Sequence, residues 1–183
     1  MITYKLRISI PKQRERSGYT TYMKSLPTLS QEGLIGDEHL YVEVRETRAY
    51  YLENRGGVSQ GQFNMHLSIT ALQGDVYVPM SLASGKKSTG FVYHIEGTGE
   101  GNISTASVTC SGEEVTQVTL GTLQYAKIPQ GKSALFEMVI TIEGAWGNVY
   151  RVIINRINYK LTPSDARYKK FSTTISSSEL TFR

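Results

Sequence analysis

Cysteine is almost missing from this chain. Cys110 is the only one, so no internal disulfide can close and no thiol-rich metal site can form. Its setting, Ser107-Val-Thr-Cys110-Ser, predicts a small apolar side chain turned toward a core rather than a reactive thiol. Long apolar runs are missing too. None approaches the roughly 18 residues of a membrane-spanning helix, so no membrane insertion is expected. The opening Met1-Ile-Thr-Tyr-Lys-Leu-Arg-Ile-Ser-Ile10 sets Lys5 and Arg7 inside its only apolar stretch. It shows no small-residue cleavage site and is not expected to be a secretory leader. With 39% apolar and 20% charged residues, the chain reads as an ordinary globular protein.

The residue patterns of common active sites are also sparse. His39, His66 and His94 form no HxH or HExxH pair, so a metal site would need tertiary folding to collect them from separate strands. A Ser-His-Asp centre would draw on Asp37, Asp75 or Asp165, or on a Glu in their place, and none is expected. Ser84-Gly-Lys-Lys-Ser-Thr-Gly90 resembles a phosphate loop only in part. Met80 stands where the first glycine belongs and Lys87 where the hydroxyl residue belongs. Gly97-Thr-Gly-Glu-Gly101 precedes no helix, and Asp37-Glu38 and Glu113-Glu114 lack calcium-loop spacing. No cofactor and no catalysis are expected.

Charge is present but unevenly spread. Residues 1–24 carry six basic side chains against Glu15 alone, a net of +5, and residues 160–170 carry four against Asp165, a net of +3. Residues 25–159 hold nine basic and thirteen acidic side chains, a net of −4. Basic ends and an acidic middle suit either polyanion binding or attraction between subunits, end to middle.

What dominates is a period of two. Ile2 to Ile10 alternates cleanly, a strand with one dry face and one wet face, and Pro11 stops it. Residues 12–36, broken by Pro27, Gly33 and Gly36, read as an arm or long loop. Strands are expected at 40–44, 49–52, 63–71, 76–78, 91–95 and 106–110, with 118–123 ambiguous. Residues 128–161 read as a β-hairpin, two alternating runs around Gly144-Ala-Trp-Gly-Asn148. Within its second run Tyr150, Val152 and Ile154 share one face while Ile157 and Tyr159 share the other. One residue of phase is lost between Ile154 and Ile157, which predicts a bulge or a change of sheet. Thr162-Pro-Ser-Asp165 carries the signature of a helix start and predicts about two turns through Lys170. Residues 171–182 are Ser/Thr-rich and β-leaning.

Many short strands with no crossover helix predict an all-β, antiparallel β-sandwich, Ig-like or jelly-roll, with extended terminal arms and at most one short helix. The expected division is an N-terminal strand and arm at 1–36, a sandwich at 37–161, and a short helix with a C-terminal strand or arm at 162–183. Pro129-Gln-Gly131, Phe136-x-Met-Val-Ile-x-Ile142 and Tyr150-Arg-Val152, with Val108-Thr-Cys110 upstream, resemble immunoglobulin-like domains of bacterial surface proteins and phage virion proteins. The similarity spans residues 88–161. Cys110 has no disulfide partner and Trp146 lies in a turn, so the resemblance implies a sandwich and brings no functional residue with it.

These features predict a structural subunit whose ends grip identical or related subunits. The first choice is a virion component (capsid, decoration or tail) assembled in a host cytoplasm; an extracellular filament or cell-surface subunit is close behind. The candidate interface is Tyr4, Lys5, Arg7, Arg14, Arg16, Tyr19, Tyr22, Lys169, Lys170 and Phe171. Basic residues interleaved with Tyr19 and Tyr22 also suit nucleic acid, a weaker reading. The competing reading is a glycan-binding or adhesin-type module that stacks sugars on Trp146, Tyr50 and Tyr51.

Overall fold

The computed structural model describes residues 37–55, 58–85 and 89–183. The strand expected at 2–10 and the arm at 12–36 lie outside the described residues. Those described form an all-β sandwich without a helix.

Strands β1 (Leu40–Arg55) and β2 (Val58–Ala71) make a long antiparallel hairpin. The two strands expected at 40–44 and 49–52 are one strand, bent where the register shifts between Val44 and Glu46. A bulge there lets the chain stay paired through a polar stretch whose alternation is broken. With β6 (Gly101–Ser111) and β9 (Ser133–Gly144) these strands form one sheet, ordered β1-β2-β9-β6. Its inner face is the stripe read from the sequence: Phe63, Met65, Leu67 and Ile69 beside Phe136, Met138, Ile140 and Ile142, all fully buried.

The facing sheet is ordered β11-β10-β5-β4. It holds β4 (Leu82–Ser84), β5 (Phe91–Gly97), β10 (Val149–Tyr159) and β11 (Lys169–Ser176), with β12 (Leu180–Thr181) also paired to β10. Phe91 meets Phe136 across the core at a ring separation of 5.2 Å. The remaining strands β3 (Val76–Pro79), β7 (Thr116–Leu120) and β8 (Leu123–Ile128) form a small sheet ordered β3-β8-β7. It joins the end of β10 through paired Tyr77 and Lys160. The ambiguous stretch 118–123 is the β7–β8 hairpin, whose Gly121-Thr122 turn needs the positive φ of +64° at Gly121.

Four local expectations change or gain detail. The run expected to be a hairpin at 128–161 is not one. β9 pairs with β2 and β6, β10 pairs with β5, β11 and β12, and the turn at 145–148 carries the chain from one sheet to the other. Both strands present a full apolar face, which two facing sheets bury more completely than one ladder does. The lost phase in β10 is a bulge: pairing to both β5 and β11 shifts between Ile154 and Arg156. Asn155 is the extra residue, exposed between buried Ile154 and Ile157. The helix expected at 162–170 is a turn. Asp165 Oδ2 does accept from the N–H groups of Thr162 (2.9 Å) and Leu161 (3.1 Å), as a helix-start carboxylate does. Tyr168 then bonds Tyr125, hydroxyl to hydroxyl at 2.7 Å, and the chain goes straight into β11.

Finally, the C-terminal segment is part of the sandwich rather than an arm. Ser177 exchanges bonds with the Val152 backbone, and Phe182 is fully buried with its ring 4.7 Å from that of Tyr150. β11 and β12 thereby close the β1 margin of the sandwich, while at the opposite margin the short strand β4 approaches β6.

Candidate functional site

Of the residues expected at an interface, Tyr4, Lys5, Arg7, Arg14, Arg16, Tyr19 and Tyr22 lie outside the described residues. Phe171 does not belong to an exposed surface: it is 4% accessible and packs in the core. The sequence places it in a polar run, but pairing of β11 with β10 sets it against Ile157. Lys170 is exposed. Lys169 donates to His39 Nε2 at 2.9 Å, with Glu38 3.7 Å away, which pins β11 beside the entry to β1. Asp37 fixes that entry from the other side. Its Oδ1 accepts from the N–H groups of His39 and Leu40, and its Oδ2 accepts from Tyr159 at 2.5 Å. Burial first, and the Asp37 bond second, push the Tyr159 hydroxyl well above the ordinary tyrosine range.

The aromatic candidates do not share one platform. Tyr50 pairs with Gln62 and Tyr51 with Gly61, so the two rings leave opposite faces of β1. Tyr51 donates its hydroxyl to the carbonyl of Arg183, which makes it a clasp for the C-terminus. Trp146 is different. It stands 78% exposed at the tip of the β9–β10 turn, and the next residue anchors that turn through a Gly147 N–H bond to the Phe182 carbonyl.

The three histidines stay apart. His66 lies between Glu46 and Glu137 on the outer face of the β1-β2-β9 ladder, and His94 bonds Asn155 and Glu96. Among the described residues no group of three His, Cys, Asp or Glu side chains is gathered to hold a metal. Gly57-Val-Ser-Gln-Gly61 has the spacing of a nucleophile elbow. That motif needs a strained strand-to-helix turn. Ser59 instead sits inside β2, 2% accessible, with its hydroxyl on the Arg183 carbonyl. A depression of about 490 Å³ runs along Ile95–Thr98, Val149–Arg151 and Glu179, but its Glu96 and Arg151 are already paired at 2.6 Å. Arg151 donates from Nε and Nη2 to Glu96 Oε2 and, with His94 second, holds that carboxylate below the usual range.

The feature the sequence reading underrated is β6. Among the described residues it ends the β1-β2-β9-β6 sheet, and one side of its backbone faces no described neighbour in that sheet. The sequence Gly-Asn-Ile-Ser-Thr-Ala-Ser-Val-Thr-Cys-Ser contains no charge and no proline. Edge strands are ordinarily guarded by such residues. β1, at the other edge, is guarded: it is bulged and carries Glu43, Arg45, Glu46 and Arg48. β6 has one irregularity, between Ile103 and Thr105, and then runs regularly to Ser111. Its core-side residues pair with buried ones, Ile103 with Ile142, Ala106 with Ile140, Val108 with Met138 and Cys110 with Phe136. Even so, Ile103 is 39% exposed, Ala106 is exposed, and Val108 and Cys110 are only half-buried. Burial that remains pushes the Cys110 thiol up to about 11, consistent with the packing role expected of it. β6 is an uncharged edge with an uncovered apolar flank.

Compared with family models, curated proteins and solved structures, the chain matches none of them.

Proposed function

We propose that the protein is a structural, non-catalytic subunit of a homomeric assembly, whose copies join by adding a strand to the β6 edge. One observation carries this reading: an eleven-residue edge strand without charge or proline, whose core-side residues Ile103, Ala106 and Val108 stay partly in water. Main-chain pairing supplies affinity in strand addition, and alternate side chains supply register. The narrower form, a virion capsid, decoration or tail component, draws its support from the resemblance to phage and surface-protein domains. An extracellular filament subunit fits the same geometry.

Native mass measurement and negative-stain microscopy of the full chain test the proposal. Multimers or regular particles are expected, and Ala106→Lys should return them to folded monomers by placing a charge on the edge. A parent chain that stays monomeric at high concentration overturns it.

A second reading, a glycan-binding module, is favoured by Trp146 alone, an exposed ring on an anchored turn. Trp146→Ala should then abolish glycan-array signal at unchanged melting temperature. Absence of signal from the parent chain on any glycan removes this reading.

A further inference from the structure

We infer that the strand filling the β6 edge is residues 2–10 of a second copy of this chain, laid with Ile2, Tyr4, Leu6, Ile8 and Ile10 toward the core. This rests on the homomeric reading above and specifies its contact.

Three observations converge on that segment. The first is parity. β6 presents half-covered apolar residues on its core side, and on its other side Thr105, Ser107, Thr109 and Ser111, which pair with Thr141, Val139, Glu137 and Leu135. A strand completing this sheet needs one apolar and one polar face. Residues 2–10 alternate in that way without a break, with Thr3, Lys5, Arg7 and Ser9 at the odd positions. The second is length. The regular part of β6, residues 105–111, would span about 23 Å at about 3.3 Å per residue and the whole strand about 36 Å; nine extended residues, about 30 Å, fall between the two. The third is charge. β9 carries Glu137 and Glu143 on the outer face, one strand in from β6. An added strand with its apolar side inward brings Lys5 and Arg7 to that face. Segment 1–24 has a net of +5 and the body 25–159 a net of −4.

The homomeric reading makes the donor a second copy; the 26 residues between Ile10 and Asp37 are long enough to reach the chain's own β6 as well, and the experiment below separates the two. Asp37 is locked to Tyr159 and to the start of β1. β1 lies at the opposite edge from β6, three strand spacings or about 14 Å away across the sheet. In this arrangement each copy offers both a donor segment and an acceptor edge. Such a head-to-tail contact propagates into rings or filaments.

Cysteine pairing between two full-length copies of different mass tests this. In a Cys110→Ser background, one copy carries Ala106→Cys, on the exposed core-side position of β6. The other carries a single cysteine at residue 4, 6 or 8 (Tyr4→Cys, Leu6→Cys, Ile8→Cys), or at residue 5 or 7 (Lys5→Cys, Arg7→Cys). Mild oxidation should give the mixed-mass disulfide dimer from the even positions and only background from the odd ones, at unchanged melting temperature. Equal yields from both series, or none from either, overturn the inference. So does a disulfide that closes only within a chain carrying both cysteines, which would show the arm on its own edge. Particle size, measured alongside, separates the two claims. Multimers without even-position pairing sink the inference and leave the homomeric reading, whereas monomers sink both.

Discussion

Replacing Phe182 with alanine should destabilise the isolated protomer, although the residue follows the last and shortest strand, β12. Its side chain is fully buried, its ring sits 4.7 Å from Tyr150, and its backbone exchanges bonds with Gly147 and Asn148. Removing a buried Phe side chain costs about 3–5 kcal/mol when the cavity cannot collapse. The aromatic pair accounts for roughly 0.5–1.5 kcal/mol of such a loss. A site at the margin of the sandwich relaxes more readily than a central one, so about 3 kcal/mol is expected, at the low end of that range. For a domain of this size each kcal/mol moves the melting temperature about 2–4 °C, giving a fall of about 6–12 °C. Thermal and urea unfolding at several dilutions measure it. The shift should not depend on concentration, and the urea midpoint should move with an unchanged slope. A Phe182→Ala protein that melts with the parent would show that the tail stabilises nothing in its own protomer, and the closure of the β1 margin would be wrong.

Gly61→Ala would set a Cβ 2.5 Å from Leu180 Cδ2 and Phe182 Cε1, so unfolding should show a loss of about 1–3 kcal/mol. That loss should shrink in the Phe182→Ala background, where the ring is gone. The Cys110 thiol, raised by burial to about 11, should resist thiolate reagents at pH 8 and react faster as pH climbs. Because its folded value is raised, its contribution to stability is complete below the unfolded thiol value of about 8.5 and disappears as pH rises through the folded one. Cys110→Ser should remove that alkaline loss in unfolding measured against pH. For Asp165 the sign is reversed. Thr162, through its N–H and then its hydroxyl, holds the carboxyl below its usual range. Its contribution is present above about 3.9 and lost as pH falls through the folded value. Asp165→Asn should therefore lower the melting temperature near neutrality, and the difference from the parent should vanish in acid.

Much of the fold is legible in alternation alone. The stripe Phe63–Ile69, the stripe Phe136–Ile142 and the slip of phase in β10 all report which face is dry, and that is a local property. Pairing is not local. Ile140 and Val152 are equally good inner-face residues whether their strands share a ladder or face each other, so the turn at 145–148 reads as a hairpin in the sequence and is a crossover in the structure. The same limit applies to Thr162–Asp165: the capping bonds form as written, but a cap does not commit the following residues to a helix when Tyr168 finds Tyr125. Phe171 and Phe182 read as tail residues because the Ser/Thr run around them hides which positions β10 will cover. The candidate site was the least legible part. The strand at 106–110 looks weak by alternation, and its importance comes from sheet order, which makes it an edge. One signal was available: the eleven residues of β6 contain no charge and no proline, in a chain whose opposite edge strand carries several.

Amide hydrogen exchange of the full chain, followed across residues 105–111 at assembling and at dilute concentrations, addresses the β6 contact most directly. Outward-facing amides of β6 should be protected when copies are concentrated and should exchange freely on dilution, while those of β2 and β9 stay protected throughout. Protection in β6 that does not change with concentration, whether uniformly high or uniformly absent, would contradict the account.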